Sequence, residues 1–184
     1  MQINLKIISQ IRNKLKFLIE NKEVLDVLIF GSIIKGKPIP SDIDIAVIIK
    51  KELPEKIKEK LKKLNNFHIS IITLEEFFVN KPSIVNTLLR EGYSIKNKKY
   101  FAENFRFLNK VLFVYFLTNL NASKKVKVVN ILKGKNKESG LVKRYKGEWL
   151  AKQVFVVPVG SENLFEEFFN NFKIKFKKYY VLMH

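Results

Sequence analysis

The stretch that most constrains this chain is residues 27–49, VLIFGSIIKGKPIPSDIDIAVII. Two apolar runs rich in β-branched residues, 27–30 and 43–49, flank a connection that begins with Gly31-Ser32 and ends with Asp42-Ile43-Asp44. Short apolar runs bounded by turn residues are expected to be buried strands. Nine residues lie between Ser32 and Asp42, room for a short turn or helix and little else. The expected order is strand, Gly-Ser, short connection, then a strand that opens on two acids.

Successive side chains of a strand point to opposite faces, so Asp42 and Asp44 should share a face about 7 Å apart along the chain. Two carboxylates at the mouth of an apolar strand repel unless a cation or proton lies between them. Magnesium suits such a place, because it takes oxygen ligands and commonly shares its site with substrate phosphates. Gly31 lets the backbone approach a phosphate closely, and Ser32 supplies a hydroxyl and an N–H at the start of the next segment. Lys35 and Lys37 are near enough in sequence to offset polyphosphate charge.

The combination of Gly31-Ser32, nine residues and Asp42-Ile43-Asp44 resembles the signature of the DNA polymerase β-like nucleotidyltransferases, especially their minimal branch. The resemblance spans residues 24–73 and, more loosely, the first hundred. It implies an α/β fold, a mixed sheet flanked by helices, and nucleotidyl transfer supported by Mg2+. It further implies that Asp42 and Asp44 hold the metal while Gly31, Ser32 and Lys35 bind a nucleoside triphosphate. The family usually carries a third carboxylate on the next strand. Residues 67–73, FHISIIT, read as that strand, and the expected position holds His68. His68 would share a face with Ser70 and Ile72, leaving Phe67, Ile69 and Ile71 on the other. An imidazole, with an ordinary pKa of about 6.5, is able to accept a proton or ligate a metal, although it suits magnesium less well than a carboxylate does. A hydrogen-bonded structural role is the competing expectation for His68. A second alignment takes the third acid from Glu75 or Glu76, which requires the chain to turn back.

The sequence contains no cysteine, which excludes disulfides, zinc–thiolate sites and thiol nucleophiles, and only two histidines, His68 and His184. Oxygen-rich metal sites remain. The first 22 residues intersperse Lys6, Arg12, Lys14 and Lys16 among apolar positions, unlike the apolar centre of a signal peptide. The run at 111–117 falls far short of the roughly 20 residues a membrane span needs. The expectation is a soluble, cytoplasmic protein without membrane contact. Lys and Arg outnumber Asp and Glu by 35 to 17, a net charge of +18. Such a surplus favours a polyanionic partner. The same abundance of Lys, Ile, Asn and Phe also fits an AT-rich coding bias or a thermophile's surface.

Elsewhere, apolar spacing predicts a helix over 3–20, and Pro54 opens another that runs to 64. Thr73 and Glu76 form a capping-box pattern, a helix over 83–91 stops at Gly92, and residues 93–100 read as a hairpin. Residues 104–120 are expected to be a buried helix, apolar on nearly every side beyond Val111. Residues 123–147 concentrate nine cations against Glu138 and are broken by Gly134, Gly140 and Gly147. Lys124, Lys125, Lys143 and Arg144, with Tyr145 and Trp149 interleaved, are the candidates for RNA phosphates and bases. The end of the chain reads as a strand closed by Pro158, a helix capped by Ser161 with a phenylalanine face, and a last strand over 174–182. Two domains are expected, a nucleotidyltransferase-like one over 1–102 and a smaller basic α/β subdomain over 103–184. Two other functions stay open. One is a transferase fold without turnover that binds RNA or a protein partner; the other is an antitoxin-like role toward a helical protein.

Overall fold

The β-branched runs become strands where the sequence places them. The computed structural model describes residues 5–36, 42–80, 82–135 and 138–184, with the backbone alone at Leu5. Lys37, the Pro40-Ser41 turn and Lys137 lie outside the described residues. The chain divides into two compact units, one ending at Phe107 and one spanning Leu108–His184.

In the first unit the helices are α1 (Leu5–Lys14), α2 (Lys16–Ile19), α3 (Glu55–Lys62) and α4 (Ser83–Glu91). Its strands are β1 (Val24–Phe30), β2 (Ile43–Ile49), β3 (Phe67–Thr73), β4 (Tyr93–Ser94) and β5 (Lys99–Tyr100). They form a mixed sheet in the order β3-β2-β1-β4-β5. β1 and β2 are antiparallel, joined through the Gly31–Ile33 turn, whereas β2 and β3 run parallel with α3 as their crossover. That connection needs a helix's length of chain because both strands must start from the same edge. The single amino-terminal helix expected from spacing is two pieces, interrupted at Leu15, where the backbone leaves helical geometry (φ −99°, ψ 13°). Leu15 and Leu18 are nonetheless fully buried, and α2 contacts β1.

One face of the sheet collects Leu28, Ala46, Ile48 and Ile72, packed with Phe77 and with Val85 and Leu88 of α4. Thr73 and Glu76 close the capping box reciprocally: the Thr73 N–H donates to Glu76 Oε2 (2.8 Å) and the Glu76 N–H to Thr73 Oγ1 (3.1 Å). The element it opens is one wide turn, Glu76–Asn80. Glu76 Oε2 is therefore engaged by the Thr73 N–H and hydroxyl.

Asp26 on β1 is 5% exposed and accepts hydrogen bonds from the Val27 N–H (2.8 Å), the Ser94 hydroxyl (2.6 Å) and the Asn97 amide (3.2 Å). Burial pushes its carboxyl above the ordinary 3.8, against those hydrogen bonds and the Lys96 charge. Its folded pKa thus exceeds its unfolded one, so the stability it contributes is complete below 3.8 and lost as pH rises through the folded value. Relative to wild type, Asp26→Asn is expected to gain stability between about pH 3.5 and about pH 7. Urea midpoints of both proteins at the two pH values check this, and an unchanging difference would contradict it.

In the second unit the expected buried helix over 104–120 is a strand. A short 3-10 turn, Phe101–Phe105, ends the first unit, and β6 (Leu108–Phe116) begins the second. Asn109, Val111, Phe113 and Tyr115 are buried while Leu108 and Phe116 are exposed, a two-residue alternation that no helix gives. β6 lies inside an antiparallel sheet of order β7-β8-β6-β9, made with β7 (Glu148–Ala151), β8 (Val154–Pro158) and β9 (Lys175–Met183). The helices are α5 (Ala122–Lys133), α6 (Leu141–Arg144) and α7 (Glu162–Asn171). Phe165 and Phe169 of α7 bury their rings against Phe113 at centroid distances of 5.9 and 5.6 Å. Ser161 stands at the start of α7 but makes no side-chain capping bond. Glu162, 1% exposed, ties that helix end to β9 through Lys178 and the Tyr180 hydroxyl (2.6 Å). Burial works against the Lys178 ammonium, but Glu162 and Glu166 outweigh it and hold its pKa above the ordinary value.

Candidate functional site

β1 ends at Phe30, whose partner across the β1–β2 ladder is Asp44. The next residue, Gly31, has φ +77°, a conformation that costs an L side chain roughly 1–2 kcal/mol. A Cβ there would collide with Asp44 Oδ2. The turn's positive φ thus favours glycine, and a side chain there would push the Asp44 carboxylate aside. Gly31→Ala is expected to destabilise the protein by about 1–2 kcal/mol and to displace Asp44. Urea denaturation of both proteins checks the energy, and an unchanged midpoint would mean that the turn relaxes freely.

Across the other ladder, Asp44 pairs in register with His68 of β3, which puts both side chains on one face, as expected. His68 Nδ1 lies 3.6 Å from Asp44 Oδ1. The His68 side chain is 70% exposed and that of Asp44 36%, so this edge of the sheet is open to a ligand. Ser70 and Ile72 follow on the same face, beside Ala46 and Ile48. Asp42 is exposed and directly precedes β2. Ser32 sits half-buried in the 3-10 turn that Gly31 begins. Among the described residues, no group of three or more His, Asp and Glu side chains is gathered closely enough to cage a metal ion.

Lys35 is tied to an acid that sequence spacing did not single out. Glu91, the last residue of α4, is 2% exposed. Its Oε1 accepts the Gly31 N–H at 3.2 Å, and its Oε2 lies 3.2 Å from Lys35 Nζ and 3.4 Å from Arg90 Nε. One buried carboxylate thereby holds both the glycine turn and the lysine after it. The sequence does carry a signal for it. A carboxylate in a helix's last turn opposes the helix dipole, so its presence beside Gly92 calls for cations nearby.

Lys124, Lys125, Lys143 and Arg144 belong to the other compact unit. Lys124, Lys143 and Arg144 are exposed and Lys125 is half-buried. Asn121 caps α5 by accepting the Lys124 N–H at 2.9 Å. A groove of about 510 Å³ lies between α5 and α6, lined in part by Lys127, Lys135 and Arg144, with Glu138 among its walls. Arg144 Nε donates to the Ser139 carbonyl at 2.7 Å. The Trp149 ring packs against Phe155 (5.2 Å) and carries Lys133 over its face (4.9 Å), and Tyr145 packs against Phe165 (6.2 Å). Both aromatic rings expected beside bases are therefore engaged with the core of their own unit.

Among the described residues no helix is long and apolar enough to cross a membrane. No curated protein and no solved structure matches the chain. Residues 13–101 match the family model described as Polymerase beta, Nucleotidyltransferase, a span that holds β1 to β5 and every residue of the Gly31–Asp44–His68 edge.

Proposed function

The chain belongs, through residues 13–101, to the polymerase β-type nucleotidyltransferases, and on that premise we propose that it moves a nucleotide from a nucleoside triphosphate to an acceptor hydroxyl. In that reaction the acceptor oxygen bonds to the α-phosphorus, the bond to the β-phosphate breaks, and pyrophosphate leaves. The observation that carries the reading is the Gly31 turn, whose missing Cβ makes the space in which Asp44 Oδ2 faces the turn. Carboxylates at Asp42 and Asp44 on an open edge are oxygen donors able to share a divalent cation such as magnesium with phosphate. When bound, the metal would neutralise triphosphate charge and lower the pKa of the acceptor hydroxyl.

The chain's own part is positioning. Gly31 and Ser32 present a tight turn at the phosphates, and Glu91 keeps that turn and Lys35 in one arrangement before substrate arrives. Asp42 and Asp44 set the polar end of an apolar strand, and His68 adds an imidazole beside Asp44. Incubation with α-labelled ATP, CTP, GTP and UTP, with RNA and protein acceptors, tests the proposal. Label should reach an acceptor in wild type and not in the Asp42→Ala, Asp44→Ala double variant. Absence of label together with unaltered nucleotide binding in the variant would overturn it.

That no cluster of three ligands is gathered among the described residues favours one second reading, a fold that binds nucleotide or RNA without turnover. Under that reading His68→Asp creates or sharply raises transfer, whereas an enzyme adapted to histidine loses it. The acceptor we propose is RNA, held by Lys124, Lys125, Lys143 and Arg144. If so, changing these four to glutamate should weaken RNA binding by at least about tenfold and flatten its dependence on salt. Filter binding at two ionic strengths measures both, and salt-independent affinity would remove RNA from the account.

A further inference from the structure

His68 is the residue of the open edge whose chemistry differs most from its neighbours, and its place is fixed by strand register. β2 and β3 run parallel with Asp44 opposite His68, so the two side chains leave the sheet side by side on one face. Their facing atoms, Asp44 Oδ1 and His68 Nδ1, stand 3.6 Å apart. Ligand bonds to small divalent ions are about 2.0–2.2 Å, so one ion is able to reach both atoms. At 70% exposure the imidazole makes no contribution to the core that would explain it there, and water has free access for the remaining coordination positions.

We propose that His68 Nδ1 is a metal ligand, and that with Asp44 it forms a mixed nitrogen–oxygen site that prefers manganese or a later transition metal over magnesium. The proposal rests on reading the Gly31–Asp44 edge as a metal–nucleotide site, and adds to it the identity of a ligand and of the metal class. Magnesium is a hard ion that favours oxygen and dehydrates reluctantly, while imidazole suits first-row transition metals. An imidazole beside a single carboxylate therefore serves magnesium less well than manganese or cobalt.

The test uses the full chain with MnCl2, followed by electron paramagnetic resonance. Because His68 and His184 are the only histidines, any imidazole nitrogen coupled to bound manganese has two possible origins. Electron spin echo modulation from one imidazole nitrogen is expected in wild type, retained in His184→Gln and lost in His68→Asn. Magnesium should displace the manganese only at about tenfold or greater excess, and His68→Asp should reduce that excess. Manganese that binds without nitrogen modulation, yet is lost in Asp44→Asn, would overturn the ligand assignment while leaving the transferase reading intact. If no manganese binding depends on Asp44, the ligand assignment and the metal–nucleotide reading both fall.

Discussion

Asp44→Asn is expected to lower nucleotidyl transfer by about a thousandfold while leaving the fold in place. The substitution keeps the size of the side chain and removes its charge. An amide is a poor ligand for a divalent cation, and on the proposed reading losing this carboxylate takes away several kcal/mol of charge stabilisation, of which about 4 kcal/mol corresponds to a thousandfold. Stability should barely change, because Asp44 is 36% exposed and its charge already meets water. Single-turnover rates at saturating nucleotide, with urea midpoints for both proteins, separate the two effects. A rate within tenfold of wild type would show that the carboxylate is peripheral to the chemistry.

Phe113→Ala is expected to cost about 3–5 kcal/mol of stability, the range for removing a fully enclosed aromatic ring. Phe113 is fully buried, and Phe155, Phe165, Phe169 and Phe176 surround it at centroid distances of 5.6, 5.9, 5.6 and 6.0 Å. No small rearrangement closes a space bounded by four rigid rings. Phe116, three residues on, is 40% exposed at the end of the same strand. Phe116→Ser should stay within about 1 kcal/mol of wild type. In the helix that spacing first suggested, positions 113 and 116 would share a face and both substitutions would be costly. Equal losses at the two positions would restore the helix.

That contrast shows where sequence patterns suffice. The strands at 43–49 and 67–73 were legible because short β-branched runs were bounded by turn residues, the one expected over 27–30 starts three residues earlier at Val24, and the parallel register of β2 and β3 brought His68 beside Asp44 as expected. Thr73 with Glu76 and the stop at Gly92 were equally plain, since capping chemistry is local. Residues 108–116 were not, because an apolar run flanked by weak turn signals suits a buried strand and a buried helix alike. Their alternation becomes visible only when β8 and β9 supply the layers on either side. Nor does the local sequence mark the break at Leu15. Glu91 was missed for a different reason: it meets Gly31 across sixty residues, and pairings at that range leave no periodicity to find.

The site shows the same division. Gly31 and His68 both face Asp44, His68 as the family resemblance implied, whereas Lys35 is paired with the buried Glu91. Burying one carboxylate with two cations is costly unless the geometry is fixed, and here it fixes the turn that faces Asp44. Rigidity at that turn is what a reaction run by positioning and charge requires.

Nucleotidyl transfer predicts the fate of each phosphate, so the most direct measurement compares two labels on one nucleoside triphosphate. With α-labelled nucleotide the acceptor should become radioactive, and with γ-labelled nucleotide the acceptor should stay cold while labelled pyrophosphate accumulates, in wild type but not in Asp44→Asn. Transfer of the γ label to the acceptor would make the protein a phosphotransferase, and label release unaffected by Asp44→Asn would contradict a reaction centred on this carboxylate.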